Sequence, residues 1–257
     1  MEKAYEDQYH RVESDHWWFL GRRQIVRALV LGNRPDRRCR ILEMGCSGGQ
    51  LIEQLQGDGY REVAGIDISP DAIALCRRAG LEAQVMDAQQ LSLPEASFDV
   101  ITASDVLEHL ADEQKALQEW GRVLRPGGLL VVFVPAFMFL WTAHDEANRH
   151  YRRYRRGGLC AALQAGGFVV ERSSYWNAFL FPPIATIRVL RKLLPKGRPS
   201  SGAGDLFKPP AAVNALLTHL LLAENRLMRA GVNWPFGVSV MALARKPQAK
   251  EARGESV

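Results

Sequence analysis

Short apolar runs alternate with amphipathic stretches along the first half of the chain. Five apolar runs predict strands, near 39–44, 62–68, 81–87, 98–103 and 129–134. Three amphipathic stretches between them predict helices, near 49–57, 70–79 and 112–123. The second helix has a clear start, because Ser69 is a typical N-cap and Pro70 suits the first helical position. Repeated βα units of this kind predict a parallel sheet with helices on both faces and a ligand at the carboxyl ends of its strands.

Three further elements are predicted outside this repeat. An opening helix covers roughly His16–Leu31, a sixth strand covers Phe168–Tyr175, and a last strand covers Gly237–Arg245. About sixty residues, from Trp176 to Phe236, separate the last two strands.

This insertion contains two predicted helical segments. The first is apolar over Ala178–Ile187 and then becomes basic, and a Gly/Ser/Pro-rich link follows at 197–204. In the second, apolar residues recur at helical spacing from Val213 to Met228, with Gly231 as a stop. Both apolar runs are too short to cross a bilayer. We expect a lid packed on the domain, and the alternative is a wall for an apolar substrate or a helix lying on a membrane surface.

A glycine-rich turn carries the strongest functional signal. The first strand runs into Gly45-Cys-Ser-Gly-Gly49, and the second strand ends on Asp67. Glycines let a nucleotide-like ligand approach the backbone, and an acid at the next strand end accepts from ribose hydroxyls. Ser47 and Gln50 stand where the dinucleotide pattern needs glycine, which disfavours a NAD(P) oxidoreductase.

Glu43, Gly45, Ser47 and Gly49 resemble the E/D-x-G-x-G-x-G signature of the class I S-adenosylmethionine (SAM)-dependent methyltransferases, with Ser as the middle residue. Further motifs follow in the family's order, and the resemblance covers about 38–175. These motifs are Val85–Ala88, Ser97–Ser104, Asp105–His109 and Leu124–Val134. The resemblance points to the small-molecule branch of that family, of the ubiquinone-biosynthesis type.

The resemblance implies a Rossmann-like α/β fold with a seven-stranded sheet, in which the last strand enters antiparallel beside the fifth. It divides the chain into five parts: an N-terminal helical cap (1–37), a SAM-binding core (38–175), a helical lid or insertion (176–236), the last core strand (237–246) and a disordered tail (247–257). It also implies that SAM is bound by residues at the ends of the first four strands: Glu43, Gly45, Cys46, Gly49, Asp67, Ile68, Asp87, Ala88 and Ser104.

Methyl transfer is an in-line displacement, so the protein must align the acceptor and remove a proton when the acceptor requires it. Candidate bases are His144, His109 and His150, and Asp145 is a candidate to orient the first. The segment after the fifth strand is where this family contacts its acceptor. Its residues Arg152, Arg153 and Tyr154 are expected to bind an anionic group, or else the arginines cover a helix face and pair with nearby acids. In the opening helix, Trp17 is expected to cover the substrate.

Asp105, Glu108 and His109 form a second cluster, which one helical turn would bring together. Some methyltransferases with a similar cluster bind a divalent cation that contacts the acceptor, whereas others with the same Leu-Glu-His triplet have no metal. The sequence leaves the presence of a metal open.

Composition narrows the function. Hydrophobic residues make up 47% of the chain and charged residues 24%, as in globular enzymes. The four cysteines lack C-x-x-C spacing and the start lacks a signal peptide, so the cytoplasm is expected. The net charge of +5 suggests nucleic acid, but no RNA-binding module is visible.

The sequence therefore predicts methyl transfer from SAM to a small or lipid-linked acceptor with an apolar body. The sequence leaves open whether the protein also binds peripherally to the inner face of the membrane. An RNA methyltransferase and a non-catalytic SAM-binding partner protein are the alternatives. Neither the acceptor atom nor the oligomeric state follows from the sequence.

Overall fold

The computed structural model describes residues 3–193 and 208–248. Its seven strands are β1 (Arg40–Met44), β2 (Glu62–Asp67), β3 (Glu82–Val85), β4 (Phe98–Ser104), β5 (Leu124–Pro135), β6 (Val169–Trp176) and β7 (Ser239–Arg245). They form one sheet in the order β3-β2-β1-β4-β5-β7-β6. The first four neighbouring pairs are parallel, whereas β7 runs antiparallel to both β5 and β6. The predicted fold, including the antiparallel last strand beside the fifth, is confirmed.

The helices of the described residues are α1 (Lys3–Val12), α2 (Trp17–Asn33), α3 (Gln50–Gly57), α4 (Pro70–Arg78), α5 (Glu113–Val123), α6 (Ala143–Ala147), α7 (Arg156–Ala165), α8 (Phe181–Leu193) and α9 (Ala211–Arg229). As predicted, the Ser69 side chain caps α4 by accepting from the Ala72 N–H at 3.2 Å. Helices α1, α6 and α7 were not among the predicted elements. The link at 197–204 and nearly all of the expected tail lie outside the described residues.

Both faces of the sheet are covered by apolar side chains. Helices α5 and α7 pack on one face, where Trp120 is fully buried. Helices α2, α3, α4 and α9 cover the other face, where Phe133 and Trp176 are fully buried. Because both faces are closed, a ligand can reach the sheet only at its edges, and the parallel strands present their carboxyl ends at one of them.

The two helices of the insertion differ in how they pack. Helix α9 lies against α2 at Gly21, where a Cβ atom would come within 2.5 Å of Leu221 Cδ1. The Asn225 side chain also donates to the Gly21 carbonyl at 2.9 Å. Helix α8, by contrast, contains no buried residue. None of the helices in the described ranges combines the length and apolarity that a membrane span requires.

Candidate active site

A cavity of about 650 Å³ opens at the carboxyl ends of the strands. Its wall contains most of the residues predicted to bind the cofactor and most of those predicted to contact the acceptor. The first group in its wall is Gly45, Asp67, Ile68, Asp87, Ala88 and Ser104, and the second is Trp17, His109, His144, His150 and Arg153. The remaining predicted site residues lie outside its wall: Glu43, Cys46, Gly49, Arg152 and Tyr154.

The turn after β1 requires its glycines for packing. Gly45 has a φ of +67° and Gly49 a φ of +82°, a region that favours glycine. A Cβ on Gly45 would lie 2.7 Å from Val106 Cγ2, and one on Gly49 would lie 2.4 Å from Leu81 Cδ1. Gly49 therefore shapes the turn from behind, whereas Gly45 also faces the cavity.

Asp67 is fixed at the end of β2 by two backbone donors. The Ser47 N–H donates to one carboxylate oxygen at 3.0 Å, and the Ser69 N–H donates to the other at 2.9 Å. Each oxygen keeps a further lone pair for a ligand hydroxyl. Burial raises the pKa of Asp67, and the two backbone hydrogen bonds offset part of that rise. Farther along the cavity, Asp87 accepts from the Gln89 N–H at 2.8 Å.

Glu43 and Cys46 lie behind the turn rather than in the cavity wall. Burial raises the pKa of Glu43 well above its usual value, and its Oε2 atom has no hydrogen-bond partner among the described residues. Cys46 places its sulfur 4.0 Å from that of Cys76, inside the apolar layer. The positions of both residues assign them to the support of the turn.

Helix α1 closes the cavity over the turn, which the sequence reading missed. Glu6 and His10 line the cavity. Glu6 accepts from the Ser69 hydroxyl, and Glu13 accepts from the Ser47 hydroxyl at 2.7 Å. The i, i+4, i+7 spacing of Glu6, His10 and Glu13 was the available signal, because it places them on one helical face.

Glu108, His109 and His150 converge at the other end of the cavity. One potential ligand atom from each lies within 4.8 Å of the others. Glu108 is fully buried, and neither of its carboxylate oxygens has a hydrogen-bond partner among the described residues. His109 Nδ1 bonds to the Asn148 carbonyl at 2.9 Å. Burial lowers the pKa of His109 to about 3, so its imidazole is neutral at physiological pH.

Asp105 does not join this cluster, although the sequence placed the three residues on one helical turn. Its φ of +58° breaks the helical path, and only Leu107–His109 forms a short 3₁₀ turn. The Asp105 carboxylate instead accepts from Arg22 at 2.7 Å.

Asp145 orients His150 and Arg153. It accepts from His150 Nδ1 at 2.9 Å and from two nitrogens of Arg153 at 2.7 and 2.9 Å. Burial alone would raise the pKa of Asp145, but the hydrogen bonds from His150 and Arg153 outweigh it and lower the pKa below its usual range. Asp145 had been expected to orient His144.

The three residues expected to hold an anionic group have other contacts. Arg153 is committed to Asp145, as described above. Arg152 pairs with Glu113 at 3.2 Å, and the Tyr154 hydroxyl donates to the same carboxylate at 2.6 Å. Burial raises the pKa of Tyr154, so its phenol stays protonated. These contacts match the alternative in which the arginines pair with nearby acids.

Other arginines line the acceptor side of the cavity. Arg188 and Arg191 reach it from α8, and Arg149 reaches it from the loop after α6. Ile184 and Ile187 of α8 lie in the same wall. Ile184, Ile187, Arg188 and Arg191 share one face of α8 at helical spacing. In the sequence, this segment is distinguished only as an apolar run that becomes basic.

The sheet order and the glycine turn define the class I methyltransferase fold. Residues 42–132 match the family model described as a methyltransferase domain. Among solved structures, the Haloferax volcanii protein bound to the Trm112 methyltransferase activator has the same fold, with a TM-score of 0.62 over 96% of each chain at 16% identity.

Curated relatives share the core rather than the whole chain. A Mycolicibacterium smegmatis protein named "Probable S-adenosylmethionine-dependent methyltransferase" is 31% identical over 61% of this chain and 61% of its own length. A ubiquinone biosynthesis O-methyltransferase of Alkalilimnicola ehrlichii is 36% identical over 40% of this chain and 44% of its own length. The chain thus aligns with about three fifths or less of these relatives.

Proposed function

We propose that the protein is a SAM-dependent methyltransferase that acts on a small or lipid-linked acceptor with an apolar body and an anionic group. The observation that carries this proposal is the continuous cavity, which contacts the glycine turn at one end and the histidine cluster at the other. SAM would supply a methyl group bonded to a positively charged sulfur.

The charges along the cavity support this assignment. Its turn end carries the carboxylates of Glu6, Asp67 and Asp87, which suit a cofactor with a sulfonium and an ammonium group. Its α8 side carries Arg188 and Arg191, with two isoleucines beside them. Guanidinium groups bind carboxylate or phosphate, and the isoleucines suit an apolar body.

His150 is the proposed base for a hydroxyl acceptor. Its Nδ1 is held by Asp145, which leaves Nε2 as the nitrogen available to take a proton. In the transfer, the acceptor oxygen would bond to the methyl carbon as the carbon–sulfur bond breaks. The electron pair of that bond would stay on sulfur, and the acceptor proton would pass to His150.

A divalent cation is the second candidate for activating the acceptor. The buried carboxylate of Glu108 lacks a partner, and Asn148 and Asp145 orient the two imidazoles through Nδ1. Outer groups of this kind commonly fix histidine ligands around a metal. One carboxylate with two imidazoles suits Mn²⁺, Fe²⁺ or Zn²⁺ better than Mg²⁺. Elemental analysis of the purified parent and of Glu108→Gln would test this. An equal amount of metal per molecule in the two proteins would exclude the site.

Contact with an anionic membrane surface is proposed for the outer side of α8. Leu190 and Leu193, which lie outside the cavity wall, are 51% and 75% exposed, and Lys192 lies between them in the sequence. No acidic residue occurs from 172 to 204. A helix that combines exposed apolar and basic side chains binds anionic lipid surfaces. The protein should sediment with phosphatidylglycerol vesicles, and the Leu190→Glu, Leu193→Glu variant should not; equal sedimentation of both would refute this role.

The methyltransferase assignment is tested with labelled cofactor. We expect calorimetry to show SAM binding. When the protein is incubated with [methyl-³H]SAM and an organic-solvent extract of the native cells, we expect the label to be transferred to a compound in the extract. Binding of SAM without transfer to any fraction would support the non-catalytic alternative. Transfer to bulk tRNA, lost steeply with added salt, would support the RNA alternative.

A further inference from the structure

Asn177 occupies an unusual position at the end of β6. It follows Trp176, which pairs with Ser239 of β7. Its backbone is in the left-handed region with a φ of +61°, and the residue is fully buried. Asparagine adopts this region more readily than most non-glycine residues do, so the turn can form without another residue type being required.

Glu224 of α9 holds the turn that follows Asn177. Its carboxylate accepts from the Phe179 N–H at 3.0 Å. Burial raises the pKa of Glu224, and the nearby backbone N–H groups of Phe179, Ala178 and Asn177 offset part of that rise. The turn after β6 is therefore held by a buried carboxylate on a helix that is itself packed against α2. The backbone needs no help from the Asn177 side chain.

The Asn177 side chain makes no hydrogen bond within the described residues. Both its Oδ1 and its Nδ2 are buried without a partner. The residue contributes to the wall of the cavity together with Pro135, Val238 and Ser239, which lie at the adjoining ends of β5 and β7. Buried amides nearly always find a partner, so an amide left over in a cavity wall marks a group that a ligand can satisfy.

The strand order assigns this amide to the acceptor side. β6 lies four positions from β1, and neighbouring strands are about 4.8 Å apart, so the two strand ends are roughly 19 Å apart across the sheet. The glycine turn follows β1, and Asp67 and Asp87 lie still farther away, after β2 and β3. An amide is neutral and offers one acceptor and two donors, which suits a hydroxyl or carbonyl group rather than an anion.

We propose that Asn177 is a specificity-determining residue that hydrogen-bonds an uncharged hydroxyl or carbonyl group of the acceptor. This inference rests on the proposed methyl transfer and adds a second recognition point to the arginines of α8. An acceptor without that group would leave the amide unpaired and would be disfavoured.

Asn177→Gly tests the role because glycine readily adopts the left-handed backbone and removes the side chain that carries the amide. With [methyl-³H]SAM and an organic-solvent extract of the native cells, we expect the extract concentration for half-maximal transfer to rise roughly ten- to a hundredfold. The SAM dissociation constant and the melting temperature should stay at the parent values. Ala96→Gly is the matched control, since Ala96 also has a positive φ, of 49°, and lies outside the cavity wall.

Three outcomes would overturn the proposal. One is parent-like transfer by Asn177→Gly, another is a weakened SAM affinity, which would assign the amide to the cofactor, and the third is a lower melting temperature with an unchanged half-maximal concentration. If Asn177→Gly does not fold, Asn177→Asp keeps the shape and removes the donors, and the same readouts apply.

If the parent itself transfers no label, the proposed function fails separately. Thermal stabilisation by the same extract then decides the role of Asn177: equal stabilisation of parent and variant would overturn it.

Discussion

Arg22 of α2 donates to the carboxylate of Asp105, the residue directly after β4, at 2.7 Å. The guanidinium carbon also lies 4.6, 4.4 and 4.3 Å from the ring centres of Trp18, Phe133 and Trp176. Burial lowers the pKa of Arg22, while the nearby Asp105 charge offsets part of that effect. The aromatic faces and the carboxylate together compensate the buried cation, so the opening helix is fixed to the cavity at this point.

Asp67→Ala should weaken SAM binding roughly ten- to a hundredfold, because a charge-assisted hydrogen bond is lost. Isothermal calorimetry would measure the change. Glu62→Ala is the control, since Glu62 starts the same strand at the opposite edge of the sheet and pairs with Arg40. Equal affinity of Asp67→Ala and the parent would show that the cofactor site is misplaced.

Gly45→Ala should destabilise the protein and weaken SAM binding more than Gly80→Ala. Both glycines have positive φ, at +67° and +75°, so each substitution carries a backbone cost of about 1–2 kcal/mol. Only the Gly45 Cβ would meet another side chain, that of Val106, which is stiff because it is β-branched. Chemical denaturation and calorimetry would separate the two effects, and identical losses in both variants would contradict the role of the turn.

His150→Ala should lower turnover roughly a hundredfold or more and leave the SAM dissociation constant unchanged, because the base acts only on the acceptor. His144→Ala should cost less, since Asp145 orients His150. His219→Ala, on the exposed side of α9, serves as the control. A larger loss in His144→Ala would restore the sequence-based choice of base, and a large loss of SAM affinity would mean that cofactor and acceptor roles are exchanged.

His10 should contribute more to the free energy of unfolding at low pH than at high pH. The hydrogen bond to Glu13 raises the pKa of His10 in the folded state, although burial opposes it. The stabilisation is therefore fully present below about pH 6.5, the value of an unfolded histidine, and is lost as pH rises through the folded value. The difference in unfolding free energy between the parent and His10→Gln should be larger at pH 5.5 than at pH 8.5, by less than about 1 kcal/mol. A difference independent of pH would exclude a charged His10.

The strands and the cofactor half of the site were predictable because their signals are local. Ser69 and Pro70 mark a helix start, and Asp67 marks a strand end, whatever the rest of the chain does. Helix α1 escaped prediction because it is short and the face that it turns toward the cavity carries the polar residues Glu6 and His10. Its apolar signal is weak, since of its described side chains only Tyr9 and Val12 pack on the small cluster around Phe19.

The acceptor half was less predictable because its contacts connect distant residues. Arg153 reads in the sequence as one of several exposed arginines, yet it is buried against Asp145. His109 and His150 meet only in the fold, through a loop after β4 and another after β5. A sequence pattern can predict such candidate residues, but it does not predict which carboxylate pairs with which histidine or arginine.

Asn225 and Gly21, whose contact joins α9 to α2, are 204 residues apart in the chain. The ribosome therefore synthesises α2 long before α9, the helix that completes the packing of α2. The central strands can pair while synthesis continues, but the face of α2 around Gly21 stays uncovered until α9 has left the ribosome. Substitutions at Leu221 should accordingly slow maturation in the cell and increase capture of the unfinished chain by chaperones.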